Sequence, residues 1–152
     1  MSISLPTTDF GVDIPFVRHL GFVLQVFADG QSEVGFAPQP EHLNSYQVTH
    51  GGVVMTLLDV TMAMAARAAP GRTGVVTVEM KASFMRPSQG PLTARGILKH
   101  HTATLAFTEA TVYDAHNQAC AHATGTFKYI KRLPVGSKSV HGFNSALAQS
   151  DA

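Results

Sequence analysis

His50-Gly51-Gly52-Val53-Val54-Met55-Thr56-Leu57-Leu58-Asp59-Val60-Thr61-Met62-Ala63-Met64-Ala65-Ala66-Arg67-Ala68-Ala69 is a run of helix-forming, mostly apolar residues that Pro70-Gly71 brings to a stop. No proline interrupts it, and Thr49 stands before it as a candidate N-cap. The run predicts one helix of about five turns. Its apolar residues fall on nearly every face, so the helix should have other structure on most sides. Asp59 and Arg67 break the apolar run, which is also too short to cross a bilayer comfortably. A buried helix is the expectation.

Upstream, residues 1–12 are polar and turn-rich and are expected to be a flexible N-terminus. Pro15 to Leu20 is read as one helical turn. From Phe22 the apolar residues alternate through Leu24 and Val26, the Asp29-Gly30 turn follows, and Glu33 to Ala37 resumes the pattern, which is a hairpin signal. Pro38 and Pro40 end it, and Glu41 to Val48 reads as a loop. Downstream the period changes from helical to two. Val76, Val78, Met80, Ala82 and Phe84 are expected on one face of a strand, with Thr77, Glu79, Lys81 and Ser83 on the other. Pro87 to Gly90 is a turn, and three more strand-like runs follow, roughly Leu92 to Lys99, Ala103 to Asp114 and Ala119 to Lys131. The expected architecture is α+β: a hairpin, one long central helix, and a four-strand meander, with an antiparallel sheet wrapped around the helix. Residues 133–152 are rich in Ser, Gly and Ala and are expected to be a flexible tail.

The 152 residues carry 11 Lys and Arg against 10 Asp and Glu, a near balance that argues against a nucleic-acid-binding surface. A single domain is the expectation for this length. One cysteine, Cys120, excludes an intrachain disulfide, and the first residues lack the basic and apolar segments of a secretory signal. The expected compartment is the cytoplasm, with no membrane association.

Cys120 in a strand pattern reads as a structural thiol. The histidines lack ligand spacing for a metal. What remains is Asn44, His50, Gly51, Gly52 and Asp59. A helix N-terminus presents unpaired N–H groups and partial positive charge, and glycines there let a substrate oxygen approach the backbone. Asp59 stands among Leu57, Leu58, Val60 and Met62, where a carboxylate needs a partner or a function. Gly51 and Asp59 lie eight residues apart, about 12 Å along the axis. A base or nucleophile must come within roughly 3 to 3.5 Å of the atom it attacks. One helix therefore cannot offer both groups to one carbonyl. Two antiparallel helices across a dimer interface can, so the spacing predicts an obligate homodimer with composite sites.

In this order and register, Pro15-Phe16, Leu20-Gly21, Asn44, His50-Gly51-Gly52, Asp59 and the strand from Val75 leading to Arg86-Pro87 resemble the hotdog-fold thioesterases, in particular the group related to the phenylacetate-pathway thioesterase PaaI. The resemblance covers about residues 13–131, and the expected domain is 13–132. It implies hydrolysis of a small aromatic or medium-chain acyl-CoA to free acid and CoA, with coenzyme A entering as part of the substrate and no cofactor or metal. The Gly51 N–H would polarise the thioester carbonyl, with Gly52 beside it. Asn44 and His50 would hold the loop and the acyl end or the water. Asp59 from the partner subunit would act as general base or as nucleophile. Thr77 falls where relatives carry a serine or threonine that positions water, though a β-branched strand residue needs no such role. Arg86 is the first candidate for the CoA phosphates, with Lys99, Lys128 and Arg132 behind it. Met55, Leu58, Met62 and Met64 would line the acyl pocket in part, although such residues also serve as plain core. The family also commonly pairs two dimers. A hotdog hydratase or dehydratase is an alternative, but His50 is followed by two glycines and not by that group's proline-glycine loop. A non-catalytic acyl-CoA binding protein is another, and it would not need Asp59.

Overall fold

The computed structural model describes residues 4–72 and 74–131. Its elements are α1 (Pro15–Leu20), β1 (Val23–Ala28), β2 (Gln31–Phe36), a 3-10 turn (Pro40–His42), α2 (Gly51–Arg67), β3 (Gly74–Phe84), β4 (Leu92–His101), β5 (Leu105–Tyr113) and β6 (Ala119–Ile130). The β1–β2 hairpin closes on Asp29 and Gly30, both at positive φ (49° and 75°), the two-residue turn whose twist suits paired strands.

All six strands form one antiparallel sheet in the order β1-β2-β4-β5-β6-β3. This is the expected sheet around a central helix, with one correction to its path. The strand after α2 does not begin a meander. β4 has β2 on one side and β5 on the other, so β3 pairs with β6 at the opposite edge. Between β3 and β4 the chain crosses the start of α2, where the Thr49 N–H donates to Ser88 O at 2.9 Å.

Helix α2 lies on the concave face. Leu57, Leu58 and Met62 are fully buried there, each contributing about 1.5–3 kcal/mol by leaving water. Polar anchors fix its height and rotation. Ser32 Oγ donates to Thr61 O (2.6 Å), and Tyr129 OH donates to Ala66 O (2.9 Å). The approach is closest at Gly96, where an added Cβ would stand 2.9 Å from Thr61 O and 2.7 Å from Ser32 Oγ. The helix is not enclosed all round, because Met55 is 39% exposed. Along edge strand β3 and just beyond it, Val78, Phe84 and Met85 are also exposed.

Three local details differ from the expectations. His50, not Thr49, is the N-cap of α2: its extended backbone places Nδ1 to accept from the Gly52 N–H. In β3 a bulge at Val78 interrupts the alternation, since Thr77 pairs with Phe127 and Glu79 with Thr126. Thr77 therefore shares the helix-facing side with Phe127, and Met80 and Ala82 recover that side only after the bulge. Finally, the first described residues are docked. Thr7 bridges to Leu24 through two backbone hydrogen bonds (2.9 and 2.8 Å), and Phe10 is 3% exposed. The expected tail, residues 133–152, lies outside the described residues.

Replacing Gly96 by valine would push α2 off the sheet. The expected loss is about 1–3 kcal/mol of stability, read from the denaturant midpoint, as for other overpacked cores.

Candidate active site

The start of α2 consumes its own donors selectively. The Gly52 N–H goes to His50 Nδ1 (2.9 Å), and those of Val53 and Val54 go to His50 O (2.9 and 3.2 Å). Among the described residues the Gly51 N–H alone of this first turn has no acceptor. It borders an open cavity of about 390 Å³, lined also by Asn44, Val48, Thr49, Val54, Phe84, Arg86 and Ser88. A Cβ at Gly51 would meet only the Phe84 ring, at an ordinary 3.6 Å. Packing within the chain thus does not require glycine here, whereas an oxygen approaching the backbone does. The helix dipole adds partial positive charge at the same point.

Asn44 stabilises the loop leading into this turn. Its Oδ1 accepts from the N–H groups of Tyr46 (2.9 Å) and Val48 (3.4 Å), and its own N–H donates to Val48 O. That arrangement leaves its amide NH₂ as the group available to the cavity. Arg86 lines the same cavity while its guanidinium donates to Ala119 O at 2.9 Å. The other basic candidates stand elsewhere. Lys99 pairs with Glu109 at 3.3 Å, Lys128 is exposed on β6, and Arg132 lies outside the described residues.

Asp59 occupies a second, separate cavity of about 330 Å³ between α2, the first half of β3 and the segment around α1. Thr77 Oγ1 donates to Asp59 Oδ1 at 2.7 Å. Burial lifts the Asp59 carboxyl above the ordinary aspartate value, and the Thr77 hydrogen bond pulls it part of the way back. A carboxylate in such surroundings is poorly solvated and correspondingly basic. The face exchange at the Val78 bulge is what brings Thr77 to it.

Of the residues expected to line an acyl pocket, Met64 borders this second cavity. Leu58 and Met62 are core, with Met62 packed against the backbone of Gly125, and Met55 points to the exposed side of α2. Arg67 was missed as a site residue, yet it lines the same cavity as Asp59. The signal was present: Asp59, Ala63 and Arg67 are spaced i, i+4, i+8, on one helical stripe. Cys120 is fully buried and its thiol is pushed up by that burial, so it offers no thiolate.

The thioesterase superfamily profile matches residues 46–121, from the loop before α2 into β6. A protein of Saccharolobus solfataricus named as a candidate esterase is 31% identical over 110 residues, covering 72% of this chain and 78% of its own. The Escherichia coli PaaI protein of the phenylacetic acid degradation operon superposes with a TM-score of 0.73 at 21% identity, over 78% of this chain and 86% of that one. A Streptococcus mutans protein solved bound to acetyl-CoA superposes at 0.68 with 24% identity, over 72% and 89% of the two chains. The chain belongs to the thioesterase superfamily, is a thioester hydrolase, and shares its hotdog fold with the PaaI protein.

The Thr77 hydrogen bond favours the ionised form of Asp59. Removing it in Thr77→Val should move the acidic limb of the pH–rate profile for kcat/KM to higher pH. A limb unchanged in the variant would show that Asp59 ionisation does not control that limb.

Proposed function

We propose that this protein hydrolyses acyl-CoA thioesters at composite sites, each built from the α2 N-terminus of one subunit and the Asp59 cavity of its partner. One observation carries the reading: the free Gly51 N–H and the Asp59–Thr77 pair open into different cavities of the same chain. Eight helical residues, about 12 Å, separate them. Neither cavity alone holds both an oxyanion donor and a base.

Edge strand β3 supplies a means of joining them. Its free edge is flanked by exposed Val78, Phe84 and Met85, and an exposed apolar edge is a template for another strand. Antiparallel pairing of β3 with its symmetry mate sets the Phe84 end, next to Gly51, opposite the Thr77 end of the partner, next to Asp59. The acetyl-CoA held by the Streptococcus mutans relative supports CoA as the carrier. Arg86, at the Gly51 cavity, is placed to meet its phosphates.

In the reaction, the thioester oxygen lies against the Gly51 N–H, which stabilises the negative charge that develops on it. Asp59 removes a proton from water as the water oxygen attacks the carbonyl carbon. Alternatively its carboxylate attacks directly, and water then opens the anhydride. In both routes the C–S bond breaks and the CoA thiolate takes up the proton released by water. Thr77 orients the carboxylate. Asn44 and His50 hold the oxyanion turn in place, His50 by occupying the Gly52 N–H. The reaction needs no cofactor, and the cytoplasm, where acyl-CoA is found, is the proposed compartment. Among the described residues no helix is long and apolar enough to cross a membrane.

Asp59→Asn should lower kcat on an acyl-CoA panel by about 10²–10⁴-fold, measured by thiol release. It should also melt higher than wild type at neutral pH. The raised folded-state value means that ionised Asp59 costs stability, and this cost disappears as pH falls through that value. The advantage of the asparagine variant should therefore shrink in acid.

Gly51→Pro removes the one free donor at a position where proline suits a helix start and where His50 already has compatible extended backbone. The expected loss in kcat is about 10²–10³-fold with the fold retained. Mixing Gly51→Pro with Asp59→Asn under subunit exchange should restore activity, to roughly a quarter of wild type for random dimers. A mixture as inactive as its components would overturn the composite site.

A further inference from the structure

The two cavities differ in chemistry. Asn44, Thr49, Arg86 and Ser88 bring polar side chains to the Gly51 cavity. The Asp59 cavity has Asp59, Thr77 and Arg67 as its polar lining among the described residues, and its other walls, Val60, Ala63 and Val75 among them, are apolar. Arg67 ends the apolar stretch. It is 5% exposed, and its Nη1 lies 3.2 Å from Met64 Sδ. Burial lowers its value to about 10 against the opposing charge of Asp9, so it stays cationic at neutral pH. A hydrocarbon chain pushed past it would strip a charged group of its surroundings, which is costly. From Asp59 to the level of Met64 is five helical residues, about 7.5 Å. An extended chain gains about 3.8 Å over three bonds, so about six bonds cover that distance.

One wall of this cavity comes from the segment before β1. Val12, Ile14 and Val17 stand in it, and all three precede residues 46–121, the part that the thioesterase profile matches. The segment is fastened on both sides. Upstream, Thr7 pairs with Leu24 and Phe10 is buried, and downstream α1 buries Val17 and Leu20. Between them the Gly11 N–H donates to Asp9 Oδ1 at 2.8 Å. Valine and isoleucine are stiff at χ1, so a wall built from them keeps its shape where methionines would yield.

Resting on the hydrolase reading above, we infer that the acyl group occupies the Asp59 cavity and that Val12 and Ile14, with Ala63 one turn along from Asp59, set how long it can be. The CoA arm leaves through the polar Gly51 cavity, where Arg86 stands. Methylenes that follow the carbonyl leave water for apolar walls. The gain stops at about six bonds beyond the carbonyl, where the chain reaches the level of Arg67. The cavity, at about 330 Å³, is small for a ligand site. The limit belongs to this chain's own first residues and not to the matched part of the family.

The profile of kcat/KM across acetyl-, butanoyl-, hexanoyl-, octanoyl- and dodecanoyl-CoA tests this. In wild type it should climb a few-fold per methylene as far as hexanoyl or octanoyl, then fall about tenfold or more by dodecanoyl. Val12→Ala and Ile14→Ala, at half-buried positions, should each raise the dodecanoyl-to-hexanoyl ratio by about tenfold. Ala63→Leu should act in the other direction, lowering the hexanoyl-to-acetyl ratio by a similar factor. Ratios within one variant are unaffected by the fraction that folds, and each variant reads the limit independently. A wild-type profile with no fall beyond octanoyl, or variants that change all esters in parallel, would overturn the inference. If no ester is hydrolysed, the hydrolase reading fails separately. Calorimetric binding of hexanoyl- and dodecanoyl-CoA to wild type and Val12→Ala then decides the length limit by itself.

Discussion

Everything in this molecule is arranged around one packing constraint: helix α2 must come close enough to the sheet for its apolar residues to be buried. Gly96 removes the side chain that would hold the two apart, while Ser32 and Tyr129 fasten Thr61 O and Ala66 O to the sheet. These contacts fix both the height and the rotation of the helix. The rotation decides which residues face the sheet and which turn toward the β3 edge. Leu57, Leu58 and Met62 go inward, and the stripe of Asp59, Ala63 and Arg67 is left bordering a cavity. A carboxylate and a guanidinium are thus kept partly or wholly out of water by the same geometry that buries the core.

The two ends of α2 are prepared differently. At the N-terminus His50 occupies the Gly52 N–H with its side chain and those of Val53 and Val54 with its carbonyl, which singles out Gly51 as the donor left for a ligand. Midway along, the charged form of Asp59 is disfavoured by burial and partly restored by Thr77. The first leaves a donor facing an open cavity and the second a carboxyl that is poorly solvated, and the proposed chemistry draws on both. The stability given up at these positions is carried by the surrounding core.

Much of this was legible in the sequence, and what was hidden has physical causes. The helix, its stop at Pro70-Gly71, the first hairpin and the pairing of a glycine turn with an embedded acid follow from local periodicity and turn chemistry. The 12 Å separation follows from helical rise alone. Strand order was not legible, because the position of β3 at the far edge depends on which neighbours β4 already has. The N-cap was misplaced by one residue because histidine competes here with the commoner threonine. The placement of Leu58 and Met62 in the core, and of Met55 outside it, depends on helix rotation, which an apolar run on every face leaves undetermined. Docking of the first described residues rests on two backbone hydrogen bonds to Leu24, and backbone pairing leaves no mark in composition.

The bulge at Val78 has one more consequence, for how this strand can change over generations. Upstream of it the odd-numbered residues face α2, and downstream the even-numbered ones do. Val78 is the residue that the ladder leaves unpaired, so losing its codon would join Thr77 to Glu79 in plain alternation and leave the threonine opposite Phe127, still facing Asp59. Losing Val75 or Val76 instead would turn over the residues before the gap. The bulge is thus a heritable slack in this edge, a place where the strand can shorten by one residue without parting the threonine from the acid.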